Sequence, residues 1–283
     1  MKGIVCKIIS SRYSILSEDK VYVASVRKRL VEKRVCVGDS VEFEKYQGSY
    51  VISEVYERKN ELIRPRISNI DKCYIVISNR PEPDYILVDK LIINCLYEGI
   101  DICIIVNKID EKTIDLTEYN KLYETIYVSA YTGDGMKELE DSMKNKTCAI
   151  VGQSGVGKSS IINCLLNEDK IKVGDISKHI DRGKHTTRHI EIYQTNNNAR
   201  IIDTCGFSIL NTVQIKKENL RNYFEEFDKY RDGCEFKSCL HLNEKNCKIK
   251  EMIGTGISKN RYDRYIKILN EIIEKEEGER WSK

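Results

Sequence analysis

Residues Gly152-Gln153-Ser154-Gly155-Val156-Gly157-Lys158-Ser159 fit G-x-x-x-x-G-K-[ST], and they stand between two apolar segments of different period. Thr147-Cys148-Ala149-Ile150-Val151 predicts a buried strand, and the stretch from Ser159 to Leu166 predicts an amphipathic helix. Strand, glycine-rich turn and helix is the setting in which backbone N–H groups cradle phosphates against a helix N-terminus. There Lys158 reaches the β- and γ-phosphates of a nucleotide, Ser159 binds Mg²⁺, and Gly152 through Ser160 line the phosphates. The turn therefore predicts an α/β sheet with its ligand at the carboxyl edge of the strands.

A base-reading element lies upstream of that loop. Asp101-Ile102-Cys103-Ile104-Ile105-Val106 predicts a continuous apolar strand, and Asn107-Lys108-Ile109-Asp110 follows at its end. An ionised Asp110 carboxylate only accepts hydrogen bonds, so it matches the ring N–H and exocyclic amine of guanine and predicts GTP over ATP. Tyr127-Val128-Ser129-Ala130 ends another short strand, where Ser129 and Ala130 would close over the base with backbone N–H groups. Downstream, Arg200-Ile201-Ile202-Asp203-Thr204-Cys205-Gly206 carries D-x-x-G: Asp203 for Mg²⁺, Gly206 for the γ-phosphate. The polar loop Asp181 to Thr187 offers a further Mg²⁺ ligand, Thr187 in preference to Thr186. His185 in the same loop is a candidate catalytic group, with a solvated loop histidine as the plainer reading. Phe207 stands where many GTPases have a water-orienting glutamine, which predicts a slow isolated protein.

Cys234, Cys239, His241 and Cys247 form C-x₄-C-x-H-x₅-C, a set of three thiolates and one imidazole that suits a closed, structural Zn²⁺ site. The chain has 11 cysteines. An odd number without a secretory signal argues against a disulfide framework. Cys73, Cys95, Cys103, Cys148 and Cys164 lie in apolar runs and read as small core residues. No run reaches the roughly eighteen apolar residues of a membrane span, so no membrane partner and a reducing, cytoplasmic compartment are expected.

The first sixty-odd residues alternate strand-like runs and turns, fitting an OB-type barrel, with an SH3-like barrel equally allowed by composition. Pro83 to Tyr97 predicts a helix with its proline early, Ile215 to Arg231 a second and Ser258 to Glu277 a third. The expected divisions are 1–62, 63–212 and 213–283. Net charge is only +3, but basic residues concentrate in the first domain, with Arg27-Lys28-Arg29 and Lys33-Arg34 between its third and fourth strands. That cluster is a candidate RNA contact. Lys259-Asn260-Arg261-Tyr262-Asp263-Arg264-Tyr265 either contacts RNA too or forms an ordinary helix face over packed tyrosines.

The chain order is base element, Ser-Ala, phosphate loop, threonine loop, D-x-x-G, whereas in ordinary P-loop GTPases the base element follows the phosphate loop. This order resembles the circularly permuted GTPases, and with the Cys/His cluster it resembles the ribosome small subunit-dependent GTPase A family (RsgA-type) over essentially the whole chain. The resemblance implies an N-terminal OB-fold, a central α/β P-loop domain with permuted motifs and a C-terminal, mainly helical zinc domain. It also implies a GTPase that acts in late maturation of the small ribosomal subunit and is stimulated by it, with ribosomal RNA, GTP/GDP, Mg²⁺ and one Zn²⁺ as partners; a monomer is expected. A GTP-gated RNA-binding module and a translation-regulating GTPase are the alternatives. Two departures are evident: Cys205 replaces the family's proline in D-T-P-G, and Arg188 replaces the third threonine after His185.

Overall fold

The computed structural model describes residues 1–27, 34–63, 65–166, 190–204 and 215–281. Strands β1 (Lys2–Ile9), β2 (Arg12–Ser17), β3 (Lys20–Val26), β4 (Ser40–Tyr46) and β5 (Ser49–Val55) pair in the order β1-β2-β3-β5-β4, and β4 returns to β1. The barrel is thus closed, which removes free edges, and it fits the OB-fold. Alternation along the strands sends Val5, Ile15, Ala24, Val41, Phe43 and Ile52 inward to one core. A hairpin of β6 (Glu61–Ile63) and β7 (Arg66–Ser68) follows, spanning the expected junction at 62/63. Buried Asp39 of the barrel accepts from Ser68 Oγ at 2.7 Å and from Arg58 Nε at 2.7 Å, which ties hairpin and barrel together.

Next come β8 (Lys72–Ser78), α1 (Tyr85–Tyr97), β9 (Asp101–Asn107), α2 (Thr117–Asn120), β10 (Glu124–Tyr127), α3 (Met136–Met143), β11 (Thr147–Gly152), α4 (Lys158–Leu166), β12 (Glu191–Gln194) and β13 (Arg200–Asp203). Parallel strands run in the order β10-β9-β8-β11-β13. Strands β8 and β11 are buried along their whole length, as parallel strands covered on both faces must be. Cys73, Cys95, Cys103 and Cys148 lie in this core, and burial pushes the Cys103 and Cys148 thiols up to about 12. The sequence reading missed β12, which pairs antiparallel to β13 and touches β1 at Glu191↔Lys7. It thereby joins barrel and α/β sheet into 11 strands. Four residues carry little periodicity, and both partners of β12 are distant or turned back in sequence.

Two expected helices differ. Pro83 lies outside α1: Asp84 is its N-cap, and the Asp84 carboxylate accepts from Leu87 N at 3.0 Å. The expected helix from Ile215 to Arg231 is instead a series of 3₁₀ turns, Lys217–Tyr223, Glu225–Phe227 and Arg231–Gly233. Phe224 breaks it with φ −115° and ψ 85°, and this break lets Phe224 and Phe227 both pack on Tyr265, with ring centroids 5.0 Å apart in each pair. Core packing here overrides helical propensity. After α5 (Lys248–Glu251), the long α6 (Lys259–Trp281) closes the chain's C-terminal unit.

Arg261, Arg264 and Tyr265 of α6 are buried, so the arginines of the candidate RNA segment at 259–265 face inward, while Lys259, Asn260 and Asp263 are exposed. Both arginines pair with Asp89 of α1. Of the basic cluster in the barrel, residues 28–33 lie outside the described residues, while Arg27 pairs with Glu44.

Candidate nucleotide site and metal-ligand cluster

The carboxyl ends of β8, β9, β10, β11 and β13 bring the separated motifs together. Gly152 ends β11 and Lys158 opens α4, while Ser154, Gly155, Ser159 and Ser160 are exposed at the mouth of the loop. Gly157 has φ +94°, and a Cβ there would overlap the Asn107 amide. Such a residue needs glycine twice over, for its left-handed backbone and for the close approach. Gly157→Ala should therefore cost about 1–3 kcal/mol of local strain and weaken nucleotide binding accordingly; calorimetric titration of the variant checks this.

Asn107 and Lys108 bind the phosphate loop directly. Asn107 Nδ2 donates to the Val156 carbonyl at 2.9 Å, and Lys108 Nζ donates to Gly155 O at 3.1 Å and Arg80 O at 2.6 Å. The base element and the phosphate loop are thus joined directly, despite their reversed order in the chain. Lys158 Nζ donates to Gly152 O at 2.8 Å and Gln153 O at 2.7 Å, which holds its charge across the loop. Gln153 Oε1 accepts from Asp84 N at 3.1 Å.

Asp110 is exposed, and one of its oxygens accepts from Ser129 Oγ at 2.5 Å. This aims the carboxylate and leaves its acceptor character intact. The backbone N–H of Ser129 goes to Asp134 O at 2.9 Å and that of Ala130 to Asn107 Oδ1 at 3.2 Å. Ser129 therefore acts here through its hydroxyl, on Asp110, a role that sequence reasoning missed. Asp110→Asn replaces an acceptor with a donor and should weaken GTP binding by about 10²-fold or more, the scale of a mispaired recognition group. Titration of GTP, GDP and ATP would check it, and an unchanged GTP affinity would remove Asn107–Asp110 from the site.

Asp203 ends β13 in register with Ile150 of β11, and the Thr204 hydroxyl donates to Ile150 O at 2.5 Å. The end of the D-x-x-G strand is thereby fastened beside the phosphate loop. His185, Thr186, Thr187, Arg188, Cys205, Gly206 and Phe207 lie outside the described residues.

Cys234, Cys239, His241 and Cys247 converge with their ligand atoms all within 4.8 Å of one another. His241 Nδ1 lies 3.7 Å from Cys234 Sγ and 3.4 Å from Cys247 Sγ. A tetrahedral metal with ordinary Zn–N and Zn–S bonds would span about 3.6 Å between such atoms. Burial, with Arg221 nearby, holds the His241 pKa down at about 4, so its imidazole is neutral, the form a metal requires. Burial pushes the Cys239 thiol up to about 12; a divalent cation reverses that preference. The residues fit one zinc ion. Tyr265 and Tyr262 of α6 brace the ligand loop through Leu240 O at 2.7 Å and His241 O at 2.6 Å.

The RsgA GTPase family profile matches residues 55–213. The chain belongs to the RsgA GTPase family. Two curated relatives support this, each called small ribosomal subunit biogenesis GTPase RsgA. The one from Caldanaerobacter subterraneus is 35% identical, covering 98% of this chain and 97% of its own. That from Geobacillus kaustophilus is 36% identical, covering 97% and 98%. Among solved structures, YjeQ from Thermotoga maritima superposes with TM-score 0.77 at 28% identity, covering 96% of this chain and 98% of its own. YloQ, described as a circularly permuted GTPase, gives TM-score 0.73 at 27% identity, covering 97% and 95%. Family membership makes the chain a GTPase that takes GTP with Mg²⁺, which agrees with the reversed motif order at the sheet edge.

Proposed function

We propose that this chain hydrolyses GTP as an assembly factor in late maturation of the small ribosomal subunit, and that the subunit stimulates its hydrolysis. The observation that carries the reading is the locking of Asn107 and Lys108 onto the phosphate loop, in a chain whose relatives are small-subunit biogenesis GTPases. The proposed divisions are 1–62 for the barrel, 63–212 for the GTPase domain and 213–283 for the zinc domain.

Within the site, Gly152 through Ser160 hold the phosphates, Lys158 neutralises charge that builds on them, Asp110 reads the base with Ser129 aiming its carboxylate, and Asn107, Lys108 and Ala130 frame the base pocket. Ser159, Asp203 and Thr187 are the proposed Mg²⁺ ligands; the ion would neutralise charge on the β- and γ-phosphates. Gly206 would donate to the γ-phosphate, and His185 remains a candidate catalytic group. Cys234, Cys239, His241 and Cys247 would hold one structural Zn²⁺. The protein would work as a monomer in the cytoplasm, with the barrel and zinc domain on ribosomal RNA. Among the described residues no helix is long and apolar enough to cross a membrane. Cosedimentation with small and large subunits, with a non-hydrolysable GTP analogue and with GDP, tests the partner. Selective, analogue-dependent binding to small subunits is expected, and equal binding to both subunits would contradict it.

A further inference from the structure

Helix α1 belongs to two cores at once. Leu87, Val88, Leu91, Ile92 and Cys95 pack in the core under the α/β sheet, while Ile93 packs in the core of the C-terminal unit with Phe224, Tyr265 and Ile268. Between the two lies Asp89, which has no exposed surface. It receives Tyr119 Oη at 2.7 Å, Arg264 Nε at 2.6 Å and Arg261 Nη1. Arg261 Nε also donates to Glu226 at 2.7 Å, and Arg264 Nη2 to Glu118 at 2.8 Å. Both guanidinium groups stand over the Tyr119 ring, at 5.1 and 5.7 Å. On the outer face, Lys90 pairs with Glu271 at 2.5 Å.

A buried charge held this way does not slide. Any rotation of α6 on α1 would strip Asp89 of its partners inside a low-dielectric interior, so intermediate positions are excluded. The amino end of the same helix meets the nucleotide site: Asp84 N donates to Gln153 in an exposed hydrogen bond, and a Cβ added at Gly155 would stand 3.4 Å from Pro81. Phosphate loop, base element, α1, α6 and the zinc-ligand loop therefore form a continuous chain of contacts, exposed between Asp84 and Gln153 and buried at Asp89.

We propose that the Asp89–Arg261–Arg264 clamp locks the zinc-ligand unit to the base-reading half of the GTPase domain, so that this unit keeps one orientation whichever nucleotide is bound. The inference rests on the GTPase reading of the site but not on any ribosomal partner.

The test uses the full chain, zinc-loaded and free of ribosomes. Fluorescent donor and acceptor are placed on bio-orthogonal side chains introduced at Lys137 on α3 and Lys237 in the zinc-ligand loop, both exposed. Distance distributions are recorded without nucleotide, with GDP and with a non-hydrolysable GTP analogue. One narrow distance, the same in all three states, is expected. A second population, or a shift beyond about 5 Å on nucleotide exchange, roughly one helical turn, overturns the proposal. Asp89→Asn should broaden the distribution while zinc content and GDP binding persist; an unchanged distribution would show that Asp89 is not the lock. If that variant does not fold, Arg264→Lys, which keeps the charge but loses the planar fork, serves the same comparison, and the wild-type series decides by itself.

Discussion

Lys158→Ala should reduce GTP turnover by at least about 10²-fold, with or without any stimulating partner, on the scale of removing one preorganised charge donor. In phosphoryl transfer the protein contributes positioning and charge neutralisation, so the loop lysine is common to basal and stimulated reactions. Here Lys158 has a second duty, because its ammonium ties Gly152 and Gln153 carbonyls together. Thermal unfolding of the variant separates the two roles. A loop-geometry defect should lower GDP affinity and melting temperature together, whereas lost charge neutralisation should lower turnover with melting nearly unchanged. Full turnover in Lys158→Ala would remove the phosphate loop from the chemistry.

Loss of a zinc ligand should be the largest effect on stability. Cys239 and Cys247 are buried within the C-terminal core beside Phe224, Phe227 and Tyr265. A bound structural zinc contributes about 10–16 kcal/mol to the folding of such sites at neutral pH. Cys239→Ser should therefore leave purified protein well below one zinc per chain, and should expose residues 215–281 to limited proteolysis. Barrel and GTPase domain have their own cores, so GTP binding should largely survive. Full zinc content in Cys239→Ser would contradict the assigned ligands.

Local signals were legible in the chain and non-local ones were not. The phosphate loop, the apolar strands and the Cys/His spacing are short-range patterns set by backbone φ, burial and metal geometry, and they are found where the sequence puts them. Strand β12 was not legible, because four residues gain meaning only from β13 and β1. The inward face of α6 was not legible either: Arg261 and Arg264 look like solvent-facing charge until Asp89 of α1, some 170 residues earlier, is placed against them. In the site, Ser129 was found as a residue, but its role was not. Only the fold shows that its hydroxyl reaches Asp110, which lies on a different strand end.

Phe207 stands where a water-orienting glutamine is common, so free protein should be slow and a partner should complete the site. The most direct test is single-turnover GTP hydrolysis by the free chain, with small ribosomal subunits and with large ones. At least about tenfold stimulation by small subunits alone is expected, below the roughly 10⁵-fold that a dedicated arginine finger gives. Equal rates under the three conditions would contradict the small-subunit-activated mechanism, even if the chain bound the ribosome.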